Sequence, residues 1–359
     1  MLEIDGSRFS GSGTIVRQAV ALSGLTGLDV RIFNARSARP GPGLRAQHTW
    51  VVEAIRRLVD GTTVGNCVGS QDLIFRPGLP RFRPDYVWDI GSAGSTALLA
   101  LAVLPVLAFA PTPVKVVLRG GLFQDAAPSF HHLRHVVLPM LRRMGVEADL
   151  EMRRPGFVPE GKGILHLKAG PMMGPMGPLV ADEPGPVERV WGVALSSHLE
   201  KQNVGMRMAR KAADVLAAAG HKASFELIHD KTAVQPGAAL AAFADLGSGT
   251  RLGADRAGAP RRRAEAVGLY VARELLADLR TGATVDRHAA DQIMTFAALA
   301  EGESSFVVPE VSDHLEACAW LVREFLGAEV RMRGQRVTVR GVGIRPQRLR
   351  SAHTQAAAS

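Results

Sequence analysis

The sequence predicts an α+β protein built from three βαβαββ units, each a sheet covered by two helices, with one smaller α+β domain inserted. Three observations predict it. The same order of parts recurs along the chain, the second helix of every copy carries apolar residues at helical spacing, and one long interval does not fit the pattern. With 359 residues, 47% hydrophobic and 21% charged, the chain has apolar mass for two or three domains. Disorder as the dominant state is excluded.

The first copy opens with a strand at Leu2 to Asp5 and a Gly/Ser loop, then a helix over Ile15 to Leu22 and a strand at Leu28 to Phe33. A basic loop follows, with a helix over Ala46 to Val59 and strands at Thr63 to Cys67 and Leu73 to Phe75. The second copy has a strand at Tyr86 to Ile90, the loop GSAGS, a helix at Ala97 to Leu107 and a strand at Val114 to Leu118. A helix from Phe130 to Met144 and strands near Ala148 to Met152 and Ile164 to Leu167 complete it. The third copy has helices at Ala290 to Ala300 and His314 to Leu326, and strands at Ser305 to Val308, Glu329 to Met332 and Arg336 to Val339.

Helical spacing is clearest in the second helices: Val51, Ala54, Ile55 and Leu58; Leu133, Val137, Met140, Leu141 and Met144; Leu315, Ala319, Val322 and Leu326. Gly61, Gly145 and Gly327 stand where a left-handed C-cap ends each of them. Pro139 predicts a kink in the second. Sheets covered on one face by two helices imply that the three helical layers meet centrally.

This organisation assigns 1–183 and 283–342 to a three-repeat body and 184–282 to an inserted α+β domain. The insert reads as strands at Val187 to Ser196, Ala223 to Ile228 and Leu240 to Ala244, with helices at Val204 to Ala219 and Ala264 to Leu279. Between Gly247 and Arg263, five arginines among Gly, Ala and Pro predict a mobile basic loop. Residues 343–359 read as a basic, disordered tail.

The formal net charge of +9 favours an anionic partner, and 36 of the 43 basic residues are arginine, suited to bidentate phosphate contacts. A coding bias toward arginine accounts for the same skew. Cys67 and Cys318 lack CxxC spacing, so neither a disulfide framework nor a structural zinc site is expected. The opening MLEIDGSRF does not read as a signal peptide, and the longest apolar run, Ala97 to Ala110, is too short for a membrane span. A cytoplasmic protein without a membrane or an obligate protein partner is the expectation.

A histidine falls at the start of each second helix: His48, His131 with His132, and His314. Helix N-termini attract phosphate, so three such ends could converge on one polyphosphate; any one of these histidines alone reads first as a surface or capping residue, a reading that their recurrence weakens. RSARPGPGLRAQH at 36–48 gathers three arginines, a glutamine and a histidine in a stiffened loop, readable as an anion clamp or as a solvated basic loop. SGSGT at 10–14, followed by Arg17, suits backbone approach to phosphate but is not a P-loop.

With IDGS near the start, RSARPGPGLRAQH, GSQDLIFRPG, DIGSAGS, LRGG, RRPGFVPEGKG, ADQ and SDHL, the chain resembles the RNA 3'-terminal phosphate cyclases over nearly its whole length. The resemblance implies ATP-dependent conversion of an RNA 3'-phosphate to a 2',3'-cyclic phosphate through a covalent histidine–AMP. By motif it implies His314 as nucleophile and Arg17, Arg36, Arg39, Gln47 and His48 around the ATP phosphates. Asp291 and Gln292 of ADQ fall near the nucleotide, with Asp291 able to orient His314; His288 stands where relatives stack an aromatic on adenine, and Pro128 resembles the opposite wall. A divalent metal, Mg or Mn, is expected with ATP.

Departures stand beside these matches. Ser10 replaces the carboxylate proposed to hold the metal, so its ligand is unknown from sequence; Ala317-Cys318 replaces a Thr-Asn pair, and GGLFQD departs from GGT-Asp/Asn. A noncatalytic cyclase-like RNA-binding protein is the alternative, against which the retained SDHL counts. An enolpyruvyl transferase of related repeats is a third reading, for which no motif speaks.

Overall fold

A computed structural model describes residues 1–345. The first unit contains β1 (Leu2–Asp5), α1 (Gly13–Thr26), β2 (Val30–Phe33), α2 (Ala46–Leu58), β3 (Thr62–Val64) and β4 (Leu73–Arg76). The second contains β5 (Asp85–Asp89), α3 (Thr96–Leu107), β6 (Val114–Gly120), α4 (Phe130–His132), a π-helical turn (Leu133–Val137), α5 (Leu138–Arg143), β7 (Ala148–Arg154) and β8 (Gly163–Ala169). Both sheets share one topology: the first strand pairs parallel with the second, the second antiparallel with the fourth, and the fourth antiparallel with the third.

The third sheet keeps that order through a strand the sequence did not suggest. β9 (Val180–Ala181) pairs parallel with β14 (Glu301–Val307), which pairs with β16 (Arg336–Val342), which pairs with β15 (Glu329–Arg333). Its helices are α8 (Ala290–Leu299) and α9 (Asp313–Leu326). The third unit is thus interrupted between its first strand and its first helix. A two-residue strand carries no periodicity, which is why it escapes the sequence.

Between β9 and α8 lie β10 (Val187–Ser197), α6 (Val204–Ala218), β11 (Ala223–Asp230), β12 (Gly237–Leu246), β13 (Arg251–Ala257) and α7 (Ala264–Arg280), with sheet order β11-β10-β12-β13. Their apolar side chains, among them Leu240, Val271 and Leu275, form a cluster of their own. The larger cluster runs through the three units, where α1 packs on α2, α3 and α9. Every residue of α1 from Thr14 to Leu25 is buried, as befits a helix enclosed on all sides.

Several expectations need correction. The mobile basic loop is not one: residues 251–257 are β13, paired with β12. Alternation is masked because both faces are covered: Leu252 and Ala254 are buried in the insert's core, and Gly253 lies so close to the second unit that a Cβ would sit 2.6 Å from Val136 Cγ2. Arg251 pairs with Asp245, and Arg256 and Arg262 both reach Asp125, so these charges are engaged. Pro139 acts one turn earlier than expected, through the π-helical turn before it. Having no N–H, it cannot bond the His135 carbonyl, which instead accepts from Arg251 Nη1 at 2.7 Å. Gly327 is a left-handed C-cap and Gly145 a left-handed residue just past one, but in the first unit Asp60 takes that conformation, at φ 47°. Gly61 instead serves a close approach, since a Cβ there would meet the Arg76 carbonyl oxygen at 2.7 Å. Of the expected tail, 346–359 lie outside the described residues; Gly343 and Ile344 donate to the Ala300 and Leu299 carbonyls, and Arg345 pairs with Glu301.

Candidate active site

α9 begins where Ser312 Oγ accepts from the Leu315 N–H, which places His314 in the first turn, at the positive end of a 14-residue helix. Its Nδ1 faces two hydroxyls from the start of α1, Thr14 Oγ1 at 3.1 Å and Ser12 Oγ at 3.3 Å. Thr14 Oγ1 also accepts from Arg17 Nη2 at 3.0 Å, tying the buried guanidinium to the same point. Burial lowers the His314 pKa, Asp291 opposes, and the charges of Arg17 and Arg39 lower it further. The imidazole is therefore neutral at pH 7, with Nε2 unengaged among the described residues.

A cleft of about 490 Å³ opens beside it, lined by His314 and Arg17, by Pro128 and His288, and by Asp291 and Gln292. Six of the ten residues singled out in the sequence thus come together. Gln292 Nε2 donates to Asp291 Oδ2 at 2.7 Å, and burial raises the Asp291 pKa against the pull of Arg17. Asp291 does not orient His314 by a hydrogen bond; it acts on the ring by charge, and the hydroxyls hold it.

The other four residues lie outside the cleft lining. Arg39 donates from Nε to the Ser10 carbonyl at 3.1 Å, and its charge reaches His314. Arg36, at φ 57°, binds the Gly41 and Gly43 carbonyls through Nη1 at 3.1 and 2.7 Å, so it braces its own loop. Gln47 Oε1 accepts from the Ser95 N–H at 3.1 Å and joins the first two units. His48 Nδ1 accepts from the Arg45 N–H at 3.0 Å, closing a capping box at the start of α2. Burial first, then Arg36, Arg17 and Arg45, push its pKa down to about 3, so it presents no charge to a phosphate. Its ring fills the place of a side chain at residue 13, where a Cβ would lie 2.0 Å from Nε2.

Of the helix-start histidines, His314 lines the cleft and His48, His131 and His132 do not. His131 is buried, with neither ring nitrogen bonded among the described residues, and its pKa is pushed down to about 3. His132 is fully enclosed on Asp286 at 3.1 Å. That carboxylate also accepts the N–H groups of Gly253, His288 and Ala289, each at 2.9 Å, joining β13, α4 and the approach to α8. The SGSGT stretch points to this loop for its backbone, but the roles of the Ser12 and Thr14 hydroxyls on His314 and of Asp286 on His132 are not legible in the sequence.

A family model described as RNA 3'-terminal phosphate cyclase matches residues 8–332. The chain belongs to the RNA 3'-terminal phosphate cyclase family. Among similar cyclases, that of Methanopyrus kandleri is 36% identical over 97% of this chain and 99% of its own. Those of Methylococcus capsulatus and Archaeoglobus fulgidus are 40% and 35% identical, over 93% and 95% of this chain and 93% and 100% of their own. The solved enolpyruvyl transferase NikO from Streptomyces tendae aligns at a TM-score of 0.28 and 14% identity over 94% of this chain and 81% of that one, a likeness that carries no inference. No helix among the described residues is long and apolar enough to cross a membrane.

Proposed function

We propose that this cyclase-family chain uses ATP to convert an RNA 3'-terminal phosphate into a 2',3'-cyclic phosphate, through an adenylate carried on His314. The observation that carries the reading is an imidazole at a helix N-terminus, held at Nδ1 by hydroxyls and lining a cleft together with buried Arg17; its lowered pKa favours the neutral form. With the proton on Nδ1 and donated to Thr14 Oγ1, the Nε2 lone pair is available to attack the ATP α-phosphorus. A P–N bond forms, the bond to pyrophosphate breaks, and Arg17 and Arg39 neutralise the charge that develops. An oxygen of the RNA 3'-phosphate then displaces His314 and takes the AMP. The vicinal 2'-hydroxyl attacks that phosphate, losing its proton, and AMP departs as the ring closes.

Pro128, His288, Asp291 and Gln292 line the same cleft, which supports reading the first two as walls of an adenine site and the other two as residues near the nucleotide. His48, Gln47 and Arg36 support the reading as residues that shape the phosphate loop rather than as charge donors. For a divalent metal the fit is poor: no group of three ligating side chains occurs among the described residues, and the oxygens within hydrogen-bond distance of His314 are the hydroxyls of Ser12 and Thr14. No step is derived through one. Residues 184–282 are taken as an inserted unit, and a reducing, cytoplasmic setting agrees with both cysteines being free thiols. The test is the product: a 3'-phosphorylated oligonucleotide with ATP should become phosphatase-resistant while AMP and pyrophosphate appear in equal amounts. An end that stays phosphatase-sensitive, with RNA bound equally by wild type and His314→Ala, would support the noncatalytic alternative.

A further inference from the structure

We infer that Phe9, backed by Arg8 and Trp320, is a stacking subsite for the base of the RNA's 3'-terminal nucleotide; the inference rests on the cyclase reading above. Phe9 is 41% exposed although it adjoins the enclosed Trp320, their ring centroids 5.7 Å apart. Its backbone is left-handed, at φ 49°, a conformation glycine adopts freely and a bulky residue seldom does. Burial does not explain an aromatic ring there, since the ring remains open to water. Strained, exposed residues of this kind collect at binding sites.

The Arg8 guanidinium lies 4.5 Å from the Trp320 centroid and 5.4 Å from that of Phe9. It has no ion pair and no side-chain hydrogen bond among the described residues, leaving its charge for a phosphate of the incoming strand. An aromatic face beside a free guanidinium is the chemistry that holds single-stranded nucleic acid. Position ties the pair to the reacting end. Ser10, next in sequence, donates to Ser12 Oγ, which faces His314 Nδ1, and Arg39 holds the Ser10 carbonyl. Trp320 follows His314 by six residues on α9, about 9 Å along the axis. Phe9 does not line the nucleotide cleft, so a base on it leaves ATP its own site. Stacking accepts any base, so the subsite anchors the end without reading its identity.

The test is fluorescence anisotropy, without ATP, using a 3'-phosphorylated oligoribonucleotide whose terminal nucleotide carries adenine or is abasic. Wild type should bind the adenine form about tenfold tighter. Phe9→Ala and Phe9→Gly should bind both forms alike, and Phe9→Trp should restore the preference. Phe9→Gly also relieves the left-handed backbone, so its thermal melt confirms the fold. A preference kept in Phe9→Gly, or missing from wild type, would overturn the inference. Base-dependent binding by a chain that ATP does not label would retain the subsite and refute the catalytic reading instead.

Discussion

Asp286 is the carboxylate on which three parts of the molecule converge, and replacing it with asparagine should loosen all of them. Its two oxygens serve His132 Nε2 and three backbone N–H groups, and both side chains are fully enclosed. Burial alone would lower the His132 pKa and raise that of Asp286, yet each is shifted the other way by the charge of its partner. Breaking a buried pair by removing one member costs about 3–5 kcal/mol. For 359 residues the unfolding entropy is about 0.75 kcal/mol per degree, so the melting midpoint should fall by about 4–7 °C. His288 hangs from the same carboxylate and its ring meets that of His132 edge-on at 6.1 Å, so the KM for ATP should rise as well. The assay is a double-mutant cycle of Asp286→Asn and His132→Phe, followed by thermal melting and ATP titration. The double variant should lose several degrees less than the sum of the singles. Asp286 contributes its stability above 3.8 and loses it as pH falls through its depressed pKa; His132 contributes below 6.5 and loses it as pH rises through its raised one. The gap between wild type and double variant should therefore be widest between those values. Additive melting shifts with an unchanged KM would refute the coupling.

Thr14→Val keeps the shape of residue 14 but leaves His314 Nδ1 without its nearer hydroxyl and Arg17 without its acceptor, so the rate of histidine adenylylation should fall about tenfold or more; single-turnover labelling checks it, and an unchanged rate would show the hydroxyl to be idle. Because the His314 pKa is lowered, the decline of the labelling rate on acidification should have its midpoint below 6.5; a midpoint at or above 6.5 would contradict the environment described. Gly13→Ala puts a methyl group into the enclosed His48 ring, which must move or displace the first turn of α1; adenylylation should drop steeply with a lower melting midpoint, and retention of both would show that the turn yields freely.

Much of this organisation is legible in the sequence because it is written in local physics. The second helices announce themselves by Val51, Ile55 and Leu58, by Leu133, Val137 and Leu141, and by Leu315, Val322 and Leu326, each a buried stripe or close to one. SDH at the start of α9 is a cap followed by a first turn, which puts His314 at a helix N-terminus, and the resemblance carried by SDHL singles it out among the helix-start histidines. What escapes depends on chain segments far apart. β13 reads as a loop because Gly253 meets the second unit on one face while Leu252 and Ala254 are buried in the insert's core on the other, which erases the polar alternation of a half-buried strand, and β9 exists only through its pairing with β14. His48 looks like a phosphate ligand until Gly13 is seen to leave room for its ring, and Arg36 like a clamp until its carbonyl partners are seen. Thr14 sits in the SGSGT stretch and Asp286 in no motif at all, but the side-chain role of each arises from a partner 300 and 154 residues away.

The central claim is that His314 is the nucleophile, and it is tested most directly by incubating the protein with ATP labelled at the α-phosphate and a divalent cation, then quenching and separating protein from nucleotide. Wild type should carry label at close to one per chain, acid-labile and lost on adding a 3'-phosphorylated RNA, and His314→Ala should carry none. Absence of label from wild type under every metal condition, or equal labelling of His314→Ala, would contradict it.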